Sequence, residues 1–149
     1  MPTEEHQAMN RKTILVVDDD PDVRLSLQVR LTANNYDTIF AEDGAADTAQ
    51  AQEHMPDLII LDLGLPAGDG FTVLACLQAT AGLSSIPVIV VSGRDRSTSR
   101  DRALQSGAEA FLQKPVDNAQ LLSVIRQVLG NGENALATSR YPEGWQLRN

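Results

Sequence analysis

Polar residues that could bind a metal ion or act as a nucleophile stand close after four apolar runs. They are Asp18, Asp19 and Asp20 after the first run, then Asp62, Ser92 and Lys114 after three later ones. Carboxylates held within a few ångströms repel by ~4 kcal/mol per pair at an effective dielectric of 20, so such a cluster requires a cation. Oxygen ligands without His or thiolate favour a hard ion, Mg²⁺ above all. A carboxylate, a metal ion, a lysine and a hydroxyl are together typical of phosphoryl-transfer sites.

Strands and helices alternate along the chain in a way that would bring these residues together. Near-continuous apolar runs predict five strands, at Thr13–Val17, Tyr36–Ala41, Asp57–Leu61, Pro87–Val91 and Ala110–Leu112. Helices are predicted between and after them: one begins at Pro21 with Asp20 as its N-cap, and the others span Ala45–His54, Phe71–Ala79, Arg94–Ser106 and Asn118–Leu129. Gly107 is expected to cap the end of the fourth helix.

This alternation predicts an α/β fold with a parallel sheet covered on both faces. Right-handed crossovers then give a three-layer, doubly wound α/β/α sandwich. In such folds the ligand site lies beyond the carboxyl ends of the strands, which is where the polar residues stand.

Composition and charge narrow the class of protein. The chain has 149 residues and a formal charge of −8, which makes it a poor partner for nucleic acid. The single cysteine, Cys76, excludes an intrachain disulfide, and its apolar helical setting predicts a buried side chain. We find no signal peptide and no apolar stretch of membrane-spanning length, so we expect a soluble cytoplasmic protein without a membrane partner.

Four motifs in this order and spacing give the chain a family resemblance. They are Ile14-Leu15-Val16-Val17-Asp18-Asp19, then Asp57-Leu58-Ile59-Ile60-Leu61-Asp62 with Leu65-Pro66 and Asp69-Gly70, then Pro87-Val88-Ile89-Val90-Val91-Ser92, then Gly107-Ala108 leading to Lys114-Pro115. From Thr13 to about Leu129 the chain resembles the receiver domains of two-component response regulators. The resemblance implies a five-stranded flavodoxin-like sheet in the order 2-1-3-4-5.

The resemblance also implies a role for each site residue. Asp62 would accept the phosphoryl group. Mg²⁺ would be bound by Asp19, by Asp62 and by the backbone carbonyl of Gly64, with Asp18 holding it through water. Lys114 and Ser92 would bind the phosphoryl group. Ser92 and Phe111 would act as switch residues, and the Lys114-Pro115 peptide bond is a candidate for the cis form.

The implied function is a regulatory switch that catalyses only its own phosphorylation and dephosphorylation. A sensor histidine kinase or histidine phosphotransfer protein would donate the phosphoryl group, and the strand 4–helix 4–strand 5 face would change for an unknown output partner. The fourth helix is basic in an acidic chain, so Arg94, Arg96, Arg100 and Arg102 are candidates for the partner surface. A homodimer through the helix 4–strand 5–helix 5 face is a further expectation.

Two alternatives remain open on the sequence. The chain could be a receiver-fold scaffold or interaction module that acts without phosphorylation. It could also be a phosphatase similar to the haloacid dehalogenases, in which Asp18-x-Asp20 would carry the nucleophile, although Asp62 would then have no role.

Three segments are expected along the chain: an N-terminal arm at 1–11, the receiver domain at 12–130, and a C-terminal tail or linker at 131–149. Gly130-Asn131-Gly132 has a linker composition. The tail contains Tyr141 and Trp145, and Trp145 could anchor it to the domain or to a partner.

Overall fold

The computed structural model describes residues 11–64, 70–93, 96–130 and 146–147. Its strands are β1 (Lys12–Val17), β2 (Tyr36–Ala41), β3 (Leu58–Asp62), β4 (Val88–Ser92), β5 (Ala110–Gln113) and β6 (Gln146–Leu147). Its helices are α1 (Pro21–Ala33), α2 (Gly44–His54), α3 (Gly70–Ala79), α4 (Arg96–Gln105) and α5 (Asn118–Val128).

The predicted sheet is confirmed. The strands are ordered β2-β1-β3-β4-β5-β6, and β1 to β5 are all parallel to their neighbours. A two-residue strand that was not predicted, β6, pairs antiparallel with the outer edge of β5. The parallel register sets Val17 beside Leu61 and Asp62 beside Val91, so the carboxyl ends of β1, β3 and β4 meet at one edge.

Two apolar layers cover the sheet, as the continuous apolar strands predicted. One layer packs side chains of α2, α3 and α4 against the sheet, including Ala51, Leu74, Leu77 and Ala103. The other packs α1 and α5, chiefly through Leu31, Leu121, Val124 and Ile125. Residues two apart in a strand share a face, so Leu15 and Val17 enter the first layer and Ile14 and Val16 the second.

Helix boundaries follow the expected capping chemistry. The side chain of Asp20 accepts a hydrogen bond from the backbone N–H of Asp22 at 2.9 Å, and Pro21 opens α1. Asp43 caps α2 through the N–H of Ala46, and Asp117 caps α5 through that of Gln120. Gly107 has a φ of 112° after α4, a left-handed conformation that favours glycine, so its capping role is confirmed.

One detail of helix packing corrects a prediction from the sequence. Cys76 is exposed rather than buried, because α3 directs Val73, Leu74 and Leu77 to the core and leaves Cys76 outside. Helix α4 buries small side chains, Ala103 fully and Ser99 almost fully, while Leu104 is half-buried. In the described ranges, no helix combines the length and apolar composition that a membrane crossing requires.

Candidate functional site

The three aspartates after β1 have three different environments. Asp18 is buried, and its Oδ1 accepts a hydrogen bond from the backbone N–H of Asp20 at 2.9 Å. Asp19 is exposed at the sheet edge, and Asp20 caps α1. The turn from β1 into α1 therefore turns one carboxylate inward and leaves the next open to solvent. Arg24 on α1 supports this turn by donating to the carbonyl of Asp18 at 2.7 Å.

Asp62 is the last residue of β3 and is 6% exposed. Its Oδ1 accepts a hydrogen bond from the backbone N–H of Gly64 at 2.9 Å. Its Oδ2 lies 3.4 Å from Nζ of Lys114. One oxygen is thus held by the turn that follows the strand, while the other faces a cation.

The carboxylates of Asp18, Asp19 and Asp62 form one cluster, with an oxygen of each within 4.8 Å of the others. Burial raises the pKa of Asp18 above its ordinary value, and the neighbouring charge of Asp62 raises it further. The N–H of Asp20 and the ammonium of Lys114 act in the opposite direction.

The donor set of this cluster fits a divalent metal ion. The cluster contains three carboxylates, and the ammonium of Lys114 lies 3.5 Å from Asp18 and 3.4 Å from Asp62. All available ligand atoms are oxygens, which suit Mg²⁺, and an exposed Asp19 leaves room for waters or phosphoryl oxygens.

Lys114 comes to the cluster from the end of β5, which is separated from β3 by β4 in the sheet. It follows β5, and its backbone N–H donates to the carbonyl of Ser92 at 2.8 Å, which ties the end of β5 to the end of β4. The Lys114-Pro115 peptide bond is cis, as the resemblance suggested. The predicted assembly of Asp18, Asp19, Asp62 and Lys114 at one site is what the structure contains.

Ser92 and Phe111 lie beside the cluster rather than within it. Ser92 is fully buried at the end of β4, one residue beyond Val91, the register partner of Asp62. Phe111 is fully buried in the α2–α3–α4 apolar layer and pairs with Val90 across β4 and β5. The aromatic ring is therefore inside the domain in this conformation.

The four arginines proposed as a partner surface do not share one environment. Arg100 is half-buried and pairs with the adjacent Asp101 at 3.0 Å. Arg102 places its Cζ 3.9 Å from the centroid of the Phe71 ring, so it also joins α4 to α3. Arg94 and the side chain of Arg96 lie outside the described residues, as do Tyr141, Trp145 and the Leu65-Pro66 and Asp69 part of the motif.

Sequence reasoning missed two residues that shape this end of the fold. Asp47 in α2 is fully buried, and neither of its oxygens has a hydrogen-bond partner among the described residues. Burial raises its pKa to about 7. Gly70 opens α3 against β3, and a Cβ there would lie 2.5 Å from the Cα of Leu63. The sequence did not predict either environment, although Gly70 is part of the Asp69-Gly70 motif. Both environments depend on which side chain the helix turns inward or on how closely two segments approach.

A cavity of about 560 Å³ borders the site between α1 and α5. Asp18 and Lys114 are in its wall, together with apolar residues such as Leu27 and Leu121. Asp62 is not in the wall. The cavity therefore adjoins the acidic cluster without enclosing Asp62.

An acidic cluster and a lysine at the carboxyl edge of a doubly wound parallel sheet are the arrangement that the resemblance to receiver domains implied. The family described as "Response regulator receiver domain" matches residues 14–126, and the chain belongs to this family.

Curated relatives agree with this assignment. The chain is 40% identical to the transcriptional regulatory protein KdpE of Mycobacterium tuberculosis over 113 residues, which are 76% of this chain and 49% of KdpE. It is 40% identical to the response regulator PleD of Caulobacter vibrioides over 116 residues, 77% of this chain and 25% of PleD. It is 35% identical to protein PilH of Pseudomonas aeruginosa over 116 residues, 78% of this chain and 96% of PilH. The chain thus spans half or less of two of these relatives and nearly all of the third.

Solved structures show the same fold. A CheY-like receiver domain protein from Methanospirillum hungatei superposes with a TM-score of 0.76 at 26% identity, covering 84% of this chain and 98% of that one. The receiver domain of the sensor histidine kinase PA1611 from Pseudomonas aeruginosa, solved with magnesium in its active-site cleft, gives a TM-score of 0.74 at 25% identity, covering 80% and 98%.

Proposed function

We propose that this domain is a phosphorylation-dependent signalling switch whose phospho-acceptor is Asp62. The observation that carries the proposal is the position of Lys114, whose Nζ is within 3.5 Å of both Asp18 and Asp62 in a cluster that also contains Asp19. The lysine would supply a positive charge to the phosphoryl oxygens, and the carboxylates would supply the nucleophile and the ligands of a metal ion. These are the groups that phosphoryl transfer requires.

Asp62 is suited to be the nucleophile. The N–H of Gly64 fixes Oδ1, and Oδ2 faces Lys114, so the carboxylate is held in one orientation before a donor arrives. In the proposed step an oxygen of Asp62 attacks phosphorus, the P–N bond to a donor histidine breaks, and an acyl phosphate forms. The imidazole leaves with the electrons of that bond.

Asp19, Asp62 and the carbonyl of Gly64 would hold Mg²⁺, with Asp18 contributing through water. The ion would supply charge stabilisation to the phosphoryl oxygens. This assignment is supported by the all-oxygen donor set and by the excess of carboxylate over ammonium charge at the site.

Phosphorylation would reach the surface through β4 and β5. Lys114 and Ser92 are joined through their backbones, so a phosphoryl group that draws either side chain inward acts on both strand ends. Phe111 is three residues before Lys114 in the same segment. We propose that Ser92 and Phe111 change position together and alter the β4–α4–β5 face, where Arg100 and Arg102 are exposed or partly exposed.

The phosphoryl donor would be a sensor histidine kinase or a histidine phosphotransfer protein, and the output partner would bind the altered face. A homodimer through α4, β5 and α5 is a second possible output. Membership of a family whose curated relatives include transcriptional and other response regulators supports this role.

The test is intact-protein mass spectrometry after incubation with acetyl phosphate and Mg²⁺. The wild type is expected to gain one phosphoryl group, whereas the Asp62→Asn variant and a chelator-treated sample gain none. Asp20→Asn is the matched control, because Asn retains the capping function and removes one neighbouring charge.

This experiment and a phosphatase assay together distinguish the alternatives. A folded wild type that gains no phosphoryl group under these conditions would favour the scaffold function. Steady release of phosphate from phosphomonoesters that is lost in Asp18→Asn but kept in Asp62→Asn would favour the phosphatase function.

A further inference from the structure

The outer edge of β5 is occupied by the chain's own C-terminal segment. Gln146–Leu147 pairs antiparallel with β5, with Leu147 opposite Ala110 and Gln146 opposite Phe111. This pairing adds a sixth strand to a sheet whose other five strands are parallel. The contact joins a point close to the chain terminus to the strand that leads into Lys114.

The backbone direction of β5 identifies which residue pair can form the hydrogen bonds. The N–H of Lys114 donates to the carbonyl of Ser92 at the end of β4 at 2.8 Å, and the register sets Phe111 beside Val90. Peptide groups of successive strand residues face opposite sides, so those of Ala110 and Leu112 face β4, as that of Lys114 does, and that of Phe111 faces β6. Phe111 and Gln146 are therefore the pair that can exchange hydrogen bonds, whereas the backbone of Leu147 faces away from β5.

The two edges of the sheet differ in how they resist pairing with other chains. The opposite edge strand, β2, contains Asp37, whose half-exposed carboxylate lies 3.6 Å from Arg11. Charges on an edge strand discourage the addition of a foreign strand. In β5 the residues Ala110, Phe111 and Leu112 are uncharged and buried, so this edge needs a cover of another kind.

We propose that the β5 edge is a strand-addition surface, and that Gln146–Leu147 occupies it and keeps other extended polypeptide segments away. The partner it fits is an extended segment that binds through main-chain hydrogen bonds. Such a partner must first displace β6, which is held weakly because it is two residues long. This surface does not depend on phosphorylation of Asp62.

The test is amide hydrogen exchange measured by NMR on the full chain, comparing wild type with Leu147→Pro and Gln146→Pro. Proline removes the N–H that faces β5 at 146 and one that faces away at 147. Loss of one hydrogen bond weakens the two-residue pairing, so the Phe111 amide is expected to exchange about tenfold faster in Gln146→Pro. Its rate in Leu147→Pro should stay close to that of wild type. The Ala110 amide, which faces β4, is the internal control and should be unchanged in all three proteins.

A synthetic peptide of residues 143–149 then tests binding from outside the chain. Added to the Gln146→Pro protein at millimolar concentration, it should slow the exchange of Phe111 again. The same peptide with an N-methyl group at the position of Gln146 should not.

Two results would overturn the proposal. One is a Phe111 amide that exchanges equally fast in wild type and in Gln146→Pro, which would mean that β6 does not protect the edge. The other is protection by β6 in the intact chain with no effect of the peptide, which would mean that the edge does not accept a separate strand.

Discussion

The guanidinium of Arg102 lies over the ring of Phe71, with Cζ 3.9 Å from the ring centroid. This contact joins α4 to the first turn of α3, and α3 begins where the loop after Asp62 ends. Arg102 is therefore part of the packing between two helices as well as a candidate for partner binding.

Replacing Arg102 by alanine is expected to reduce the free energy of unfolding by about 0.5–1 kcal/mol, the usual size of an exposed cation–π contact. The measurement is urea denaturation at neutral pH. Arg100→Ala is the matched control, because its ion pair with the adjacent Asp101 is a surface contact on the same helix. Equal losses in the two variants would argue against the contact with Phe71. Because Arg102 packs on Phe71 and Arg100 pairs with Asp101 at the surface, Arg100→Glu changes the packing of α4 less than Arg102→Glu would. It is therefore the better charge reversal for testing partner binding.

Asp47 is expected to make the protein less stable as pH rises. Its pKa is raised from 3.8 to about 7 in the folded state, so between these values the folded chain holds a proton that the unfolded chain has lost. The stabilisation is complete below the unfolded pKa and is lost as pH rises towards 7, with a maximum of about 4 kcal/mol. Asp47→Ala should therefore gain stability relative to wild type between pH 5 and pH 8.

Urea denaturation of wild type, Asp47→Ala and Asp47→Asn at pH 5 and pH 8 measures this effect. Both variants lack the titrating carboxyl group, so the free energy of unfolding of each, relative to wild type, should rise by the same amount from pH 5 to pH 8. This holds although Asn retains a buried polar group. A difference from wild type that is the same at the two pH values would contradict the assignment.

Gly70 is expected to tolerate no side chain. A Cβ at this position would lie 2.5 Å from Cα and 2.9 Å from the carbonyl oxygen of Leu63, and backbone atoms cannot move aside as a flexible side chain can. Gly70→Ala should destabilise the domain by about 1–3 kcal/mol, the usual cost of overpacking. Gly93→Ala is the control, because a Cβ there would meet nothing within 4 Å. Thermal unfolding of both variants tests the prediction, and similar melting temperatures would refute it.

Mg²⁺ is expected to raise the thermal stability of the wild type, since an ion that binds only the folded state shifts the unfolding equilibrium by mass action. Asp19→Asn should weaken this response because it removes an exposed member of the carboxylate cluster. Asp20→Asn should keep it, since Asp20 caps α1 and is outside the cluster. Melting temperatures over a Mg²⁺ titration provide the comparison, and a wild type that does not respond would count against a metal site here.

Residue order predicted the sheet and most of the candidate site. The apolar runs ending in Asp18-Asp19, Asp62 and Ser92, with Lys114 beyond the last run, were sufficient because parallel strands bring their carboxyl ends to one edge. Asp20 and Gly107 were equally predictable, because capping depends on local backbone chemistry.

The remaining features depend on contacts between distant segments. Cys76 and Asp47 both lie in helices with small residues around them, and the sequence did not show that α3 turns Cys76 outward while α2 turns Asp47 inward. The pairing of Gln146–Leu147 with β5 joins residues more than thirty positions apart, and a two-residue strand has no pattern of its own.

The sequence alone therefore determined the class of fold, the set of acidic residues and the lysine that faces them, because each follows from local periodicity and chain order. Tertiary structure decided which carboxylate is buried, which arginine packs on an aromatic ring and which segment covers the β5 edge. These depend on the packing of the layers, in which burial and contact are set by neighbours far away in the chain.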